Sequence, residues 1–137
     1  MAIAGTTTLA TARGIQRRTL NNASLALQAD IRRAQRLSLI EGRRWRVQFD
    51  QQNNRYFLHS IPRFEADYIY EVYLPRGVEF AVLGRPFTEF LPRGTVGGGG
   101  FGQGTAFTIR LRNGRFEQDL TIVPSSGRVR VFEIQRI

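Results

Sequence analysis

The stretch Leu20–Glu41, LNNASLALQADIRRAQRLSLIE, decides the fold. At the helical turn of about 100° per residue, Leu20, Ala23, Ala26, Leu27, Ile31, Ala34 and Leu37 fall on one face. Arg32, Arg33, Gln35 and Arg36 lie off that face. Leu25 and Leu39 do not fit the stripe and project roughly opposite it. A helix of this kind has one apolar face to bury, and another element must cover it.

Working outward, helical character begins weakly near Leu9–Arg13, passes Gly14 and is secure from Ile15. Gly42 is a good residue to end the helix, with Arg43 and Arg44 placed near the negative end of its dipole. The helix is therefore expected over about 15–41. Residues 1–14 read as the residual end of an anchor helix or a start, because small apolar residues give way to Arg13, Arg17 and Arg18. That apolar run is shorter than the roughly 20 residues a membrane span needs.

Everything after Gly42 reads as short strands, giving a β domain over about 44–135. Trp45, Val47 and Phe49 alternate with Arg44, Arg46 and Gln48, a period of two. Asp50–Asn54 is a polar turn before a returning strand, Arg55–His59. Ile61–Asp67 is irregular around Pro62, Tyr68–Leu74 is strand-like, and Pro75-Arg76-Gly77 turns into Val78–Val82. A short strand is expected near Phe87–Phe90, followed by a flexible loop, Gly94–Gly104. That loop is not a phosphate cradle, because it opens no helix and no Gly-Lys-Ser/Thr follows.

Asn113-Gly114 is a strong hairpin signal between Ala106–Arg112 and Arg115–Val123. A turn on these two residues pairs Leu111 with Phe116, Arg110 with Glu117 and Phe107 with Leu120. It puts Phe107, Ile109, Leu111, Phe116, Leu120 and Ile122 on the core face. A four-residue loop, Pro124-Ser125-Ser126-Gly127, then leads into Arg128–Ile134, with Val129 and Val131 joining the core. Arg128 and Arg130 share the outer face with Arg110 and Arg112, diluted by Glu117 and Asp119. The fold class is α+β: one long helix packed on antiparallel sheets.

Composition bounds the chemistry. The chain has 137 residues and 42% hydrophobic content, enough for one domain with a core. It has no Cys, so disulfides and thiolate metal sites are excluded. All 20 basic residues are Arg and the formal charge is +9. A GC-rich genome produces such a set; it also suits anions, since a guanidinium grips phosphate or carboxylate through two parallel donors.

No catalytic constellation is visible. The single His59 has no Asp, Cys or Ser motif around it, and metal ligands at usable spacing are missing. Glu65 and Asp67 share a loop, while Glu117 and Asp119 share a strand face opposite arginines, a spacing of ion pairs rather than of an acid/base dyad. No cofactor and no small-molecule substrate is expected. Arg43, Arg44 and Arg46 read as helix-end charge and a solvated strand face. Arg128 and Arg130, just past a tight turn, can point the same way and hold phosphates, with Phe132 and Tyr68 or Tyr70 as stacking partners for a single strand.

Several segments together resemble a known family. These are Leu27-Gln28-Ala29-Asp30-Ile31-Arg32-Arg33-Ala34-Gln35-Arg36-Leu37-Ser38-Leu39 and Gly42-Arg43-Arg44-Trp45-Arg46-Val47. Tyr73-Leu74-Pro75-Arg76-Gly77-Val78, a Gly-rich stretch before Phe107-Thr108-Ile109-Arg110-Leu111, and Ser125-Ser126-Gly127-Arg128-Val129-Arg130 follow in order. This series resembles the minor pseudopilins and minor type IV pilins of the GspH/FimT kind, over most of residues 15–131. The prepilin cleavage site, the Phe-Thr-Leu-Ile-Glu start and most of the hydrophobic segment are not in the sequence.

The resemblance implies a non-enzymatic subunit of a type II secretion pseudopilus or a type IV pilus in the bacterial cell envelope. Its partners would be other pilin-like subunits. An N-terminal hydrophobic helix would anchor it in the inner membrane, with the globular domain outside the cytoplasm. FimT-like members are associated with DNA uptake through Gly-Arg-x-Arg, which Gly127-Arg128-Val129-Arg130 matches. The implied DNA-binding residues are Arg128 and Arg130, helped by Arg110, Arg112 and Arg136. Leu25 and Leu39 become a candidate assembly interface with neighbouring subunits.

Overall fold

One helix, α1, runs unbroken over Ala2–Glu41. The computed structural model describes residues 2–61, 70–97, 107–123 and 126–137, with side chains described from Thr11 onward and not for Phe107. Helix formation therefore extends further back than the expected start near residue 15. Gly14 does not interrupt it, because a single interior Gly costs only about 1 kcal/mol of helix propensity. At the other end Gly42 has φ +63°, the left-handed conformation expected of a helix-ending glycine.

Strands follow in the order β1 (Arg44–Asp50), β2 (Arg55–Ile61), β3 (Tyr70–Tyr73), β4 (Val78–Leu83), β5 (Phe87–Phe90) and β6 (Val96–Gly97). After them come β7 (Phe107–Asn113), β8 (Phe116–Ile122), β9 (Val129–Val131) and β10 (Gln135–Arg136). The first sheet has the order β3-β2-β1-β5-β6. The second is β10-β8-β7-β4, with β9 also paired to β8. All pairings are antiparallel. The helix lies across both sheets, with Leu20, Leu27, Ile31 and Ala34 fully buried against Val47 and Leu58 of one and Ile109, Leu111 and Leu120 of the other.

Within the stripe, two details differ from the sequence reading. Ala26 is exposed, and its place in the interface is taken by Ser24 and Ser38, both fully buried. Small residues let the helix backbone approach the sheets closely. The Ser38 hydroxyl finds a partner in the Gln35 carbonyl at 2.6 Å.

The β7–β8 hairpin has a register two residues away from the expected one. Its turn is Gly114-Arg115, so Asn113 pairs with Phe116, Arg112 with Glu117, Arg110 with Asp119 and Ile109 with Leu120. Gly114 carries φ +62°, as the first central position of such a turn requires. Asn113 is drawn into the strand because its side-chain amide donates to the Gln16 carbonyl of the helix at 3.1 Å. A shift of two preserves the side-chain face. Ile109, Leu111, Phe116, Leu120 and Ile122 are accordingly all buried.

Part of the Gly-rich loop is not loop: Val96 is buried and pairs with Phe90 as β6. Residues 98–104 of that stretch, together with Glu65, Asp67, Tyr68, Pro62, Pro124 and Ser125, lie outside the described residues.

Candidate assembly and anion-binding surfaces

The turn into β9 is built on Gly127. Its φ is +67°, and an added Cβ would sit 2.5 Å from Gln35 Nε2 and 2.9 Å from Phe90 Cε1. Glycine is needed there for both conformation and space. The Gly127 N–H donates to the Val123 carbonyl at 2.8 Å, and Val123 N–H donates to the Arg128 carbonyl at 2.9 Å, which closes the four-residue loop. From the helix, Gln35 Nε2 donates to the carbonyls of Ser126 (2.8 Å) and Gly94 (2.9 Å). Gln28 Nε2, two helical turns earlier on the same line, donates to the Val129 carbonyl at 2.9 Å. These two glutamines fasten the turn and do not stand out in the sequence; their seven-residue spacing is the available signal.

Val129 is buried between Arg128 and Arg130, which are both exposed. Alternation on either side of Val129 puts the two side chains on one face, their attachment points roughly 6.6 Å apart along the chain. The Arg130 guanidinium carbon lies 5.2 Å from the centre of the Phe132 ring. Neither Arg128 nor Arg130 makes an ion pair among the described residues.

The register puts Arg110 and Arg112 on the same outer face, but each has an acidic partner. Arg110 Nε donates to Asp119 at 2.8 Å, and that bond raises its pKa above the ordinary guanidinium value. Arg112 Nε donates to Glu117 at 3.1 Å. Arg136 is elsewhere: it pairs across from Phe116 on the core-facing side, at a depression shared with Arg13 and Arg17. Of the stacking candidates, Phe132 joins Arg130, whereas Tyr70 lies on β3 of the first sheet with the Arg33 guanidinium 3.9 Å above its ring.

The cluster after the helix is largely paired. Arg43 lies 3.3 Å from Glu41. Arg44 and Arg46 flank the buried Glu89 at 4.0 and 3.8 Å, and Arg46 also stacks 3.9 Å over Phe87. His59 Nδ1 is 3.1 Å from the Ser60 carbonyl. Among the described residues no three His, Cys, Asp or Glu side chains come together as a metal site.

On the helix, Leu25 and Leu39 are exposed, at 46% and 54%. They flank the interface instead of opposing it. Leu25 borders a shallow depression with Val131, Phe132 and Ile134. Leu39 touches the Gly94 turn, where an added Cβ would be 3.1 Å from its Cδ2. The deviation is physical: the second sheet and the Gly94 turn wrap further round the helix than a single stripe implies. Ile15 (57%) and Ile40 (72%) are exposed as well. No helix among the described residues is long and apolar enough to cross a membrane.

No family model matches the chain and no curated protein is similar to it. Solved structures are similar. The minor pseudopilin EpsH from the type 2 secretion system of Vibrio cholerae aligns with a TM-score of 0.63 and 14% identity, covering 82% of this chain and 95% of that one. The type IV minor pilin FimU of Pseudomonas aeruginosa aligns with a TM-score of 0.65 and 16% identity, covering 85% and 90%. The chain has the minor pilin and pseudopilin fold. In that fold α1 is the spine and the two sheets are its cover, as the element order here describes.

Proposed function

We propose that this chain is a non-enzymatic minor pilin or pseudopilin subunit that acts by assembling with other pilin-like subunits in a cell-envelope filament. The observation that carries the reading is the helix. It runs from Ala2 to Glu41, while the sheets cover one side of it and leave Ile15, Leu25, Leu39 and Ile40 exposed. Four large apolar side chains on a forty-residue helix suit helix-to-helix packing with neighbours. The filament is a type II secretion pseudopilus or a type IV pilus, and anchoring in the inner membrane comes from a hydrophobic helix. The test is to tag the full gene product in its own host and identify what co-purifies from the envelope. Recovery of pilin-like subunits supports the reading; a protein found only free of the envelope, with no such partner, overturns it.

A second reading, DNA capture by this same domain, has its own support. Arg128 and Arg130 are exposed, without acidic partners among the described residues, and held by a turn that Gln28 and Gln35 fasten to the helix. Two exposed arginines on a fastened turn, with Phe132 beside Arg130, suit a phosphate backbone and a stacked base. Arg110 and Arg112 contribute less, because Asp119 and Glu117 offset their charge.

A further inference from the structure

We propose that Arg13, Arg17 and Arg136 form a headgroup site for anionic phospholipid at the point where the helix leaves the sheets. The three arginines ring one depression with Gly14, Phe116 and Ile134, and among the described residues no acidic side chain lines it. All three are exposed, and none makes an ion pair among the described residues. The Arg17 guanidinium carbon lies 5.7 Å from the centre of the Phe116 ring. Glu133 lines the adjoining depression on the Leu25 side, which shares Arg17.

The surroundings decide the occupant. Gln16 takes the Asn113 amide bond at 3.1 Å, and from Ile15 back to Thr11 every side chain is exposed. The helix nevertheless continues to Ala2, so about 21 Å of it extends past that contact at 1.5 Å per residue. The sequence from Ala2 to Ala12 carries no charged residue, and Arg13, Arg17 and Arg18 follow. An uncharged helix succeeded by a ring of arginines matches the depth profile of a bilayer interface, where guanidiniums meet phosphates and apolar side chains lie deeper. Ile134, half-buried at the edge of the depression, suits the glycerol and upper acyl region of a lipid, a contact that inorganic phosphate does not use. Arg136, on the core-facing side, is also separated from the outer face that carries Arg128 and Arg130.

The test is sedimentation of the chain with vesicles of phosphatidylcholine alone and of phosphatidylcholine with phosphatidylglycerol. Binding is expected only to the anionic vesicles. The triple variant Arg13→Gln, Arg17→Gln, Arg136→Gln should lose at least about tenfold in affinity, since each arginine near an anionic surface contributes a few-fold. The variant Arg32→Gln, Arg36→Gln, Arg93→Gln removes the same charge from exposed positions elsewhere and should stay within about twofold of the parent. If the triple variant does not fold, single Arg13→Gln and Arg136→Gln replacements, each expected to lose a few-fold, distinguish the same outcomes. Equal losses in the two triple variants, or no preference for anionic vesicles, overturn the proposal. So do displacement by millimolar inorganic phosphate at constant ionic strength, and single-stranded DNA binding that depends on these three arginines. The site goes beyond the filament reading: a subunit that assembles yet ignores vesicles sinks this inference alone.

Discussion

The Tyr56 hydroxyl on β2 donates to a carboxylate oxygen of Asp30 on the helix, 2.5 Å away, tying α1 to the first sheet through the core. Tyr56 is 1% exposed. Burial, reinforced by the Asp30 bond, raises its pKa well above the ordinary phenol value. The native state therefore keeps its proton at a pH where the unfolded chain loses it. The unfolded state then binds fewer protons, so stability is fully present below about pH 10 and falls as pH rises above it. Tyr56→Phe should cost about 1–3 kcal/mol at neutral pH, because half-buried Asp30 loses its partner. It should also flatten the alkaline decline. Urea unfolding from pH 7 to 11, with exposed Tyr73→Phe as control, reads both; an unchanged alkaline slope would refute the assignment.

Ser24 presents the opposite case. It is fully buried and its hydroxyl has no hydrogen-bond partner among the described residues. Ala fills nearly the same volume, is a better helix former and has no hydroxyl to desolvate. Ser24→Ala should stabilise the domain by about 1 kcal/mol, seen as a higher denaturant midpoint at unchanged slope. A drop in midpoint would mean that the hydroxyl has a partner in solution.

Gly127 is where fold and candidate site coincide. Gly127→Ala meets both a positive φ and the side chains of Gln35 and Phe90. A left-handed non-glycine residue costs about 1–3 kcal/mol, and displacing Gln35 weakens the bonds that fasten the turn, so about 2–4 kcal/mol is expected in all. Gln35→Ala keeps the backbone relaxed and should cost nearer 1 kcal/mol. Chemical denaturation of the two variants separates them, and equal losses would show that the turn's strain contributes little.

The DNA reading yields a salt-dependence prediction. Arg128→Gln with Arg130→Gln removes two phosphate contacts, so the log–log salt slope for a single strand should flatten by about 1.4. Removing Arg110 and Arg112 should change it less, because Asp119 and Glu117 already engage those guanidiniums and fewer phosphate contacts are lost. Fluorescence titration of a labelled oligonucleotide at several salt concentrations decides it. Identical slopes for both pairs would reduce binding to net charge.

How much of the fold and of these surfaces is legible in the sequence depends on the range of the interaction. Trp45, Val47 and Phe49 announce a half-buried strand by alternation alone, and all three are buried. Asn113-Gly114 marks the hairpin but misplaces its turn, because the Asn113 amide is recruited by Gln16, 97 residues away, and no local rule contains that bond. The core face survives the error only because the slip is an even number. Likewise the helical wheel finds Leu27 and Ile31 but admits Ala26 and omits Ser24, since small residues are chosen by backbone approach and not by hydrophobicity. Arg110 and Arg112 look like companions of Arg128 and Arg130; their pairing with Asp119 and Glu117 depends on the cross-strand register. The meeting of Arg13 and Arg17 with Arg136 joins the two ends of the chain, which no spacing rule reaches.

Leu25 carries the last prediction, since assembly and folding make opposite demands on it. At 46% exposure beside Val131, Phe132 and Ile134, it contributes only part of its area to the domain. Leu25→Glu should therefore cost the isolated domain no more than about 1 kcal/mol. At a helix-to-helix contact between subunits the same carboxylate would be buried without a partner, at a cost of several kcal/mol. Near-normal unfolding of the domain combined with loss of envelope partners in co-purification is the expected pair of results. Retained partners would take Leu25 out of the assembly surface and leave Ile40, the most exposed large apolar helix side chain among the described residues, as the position to charge next.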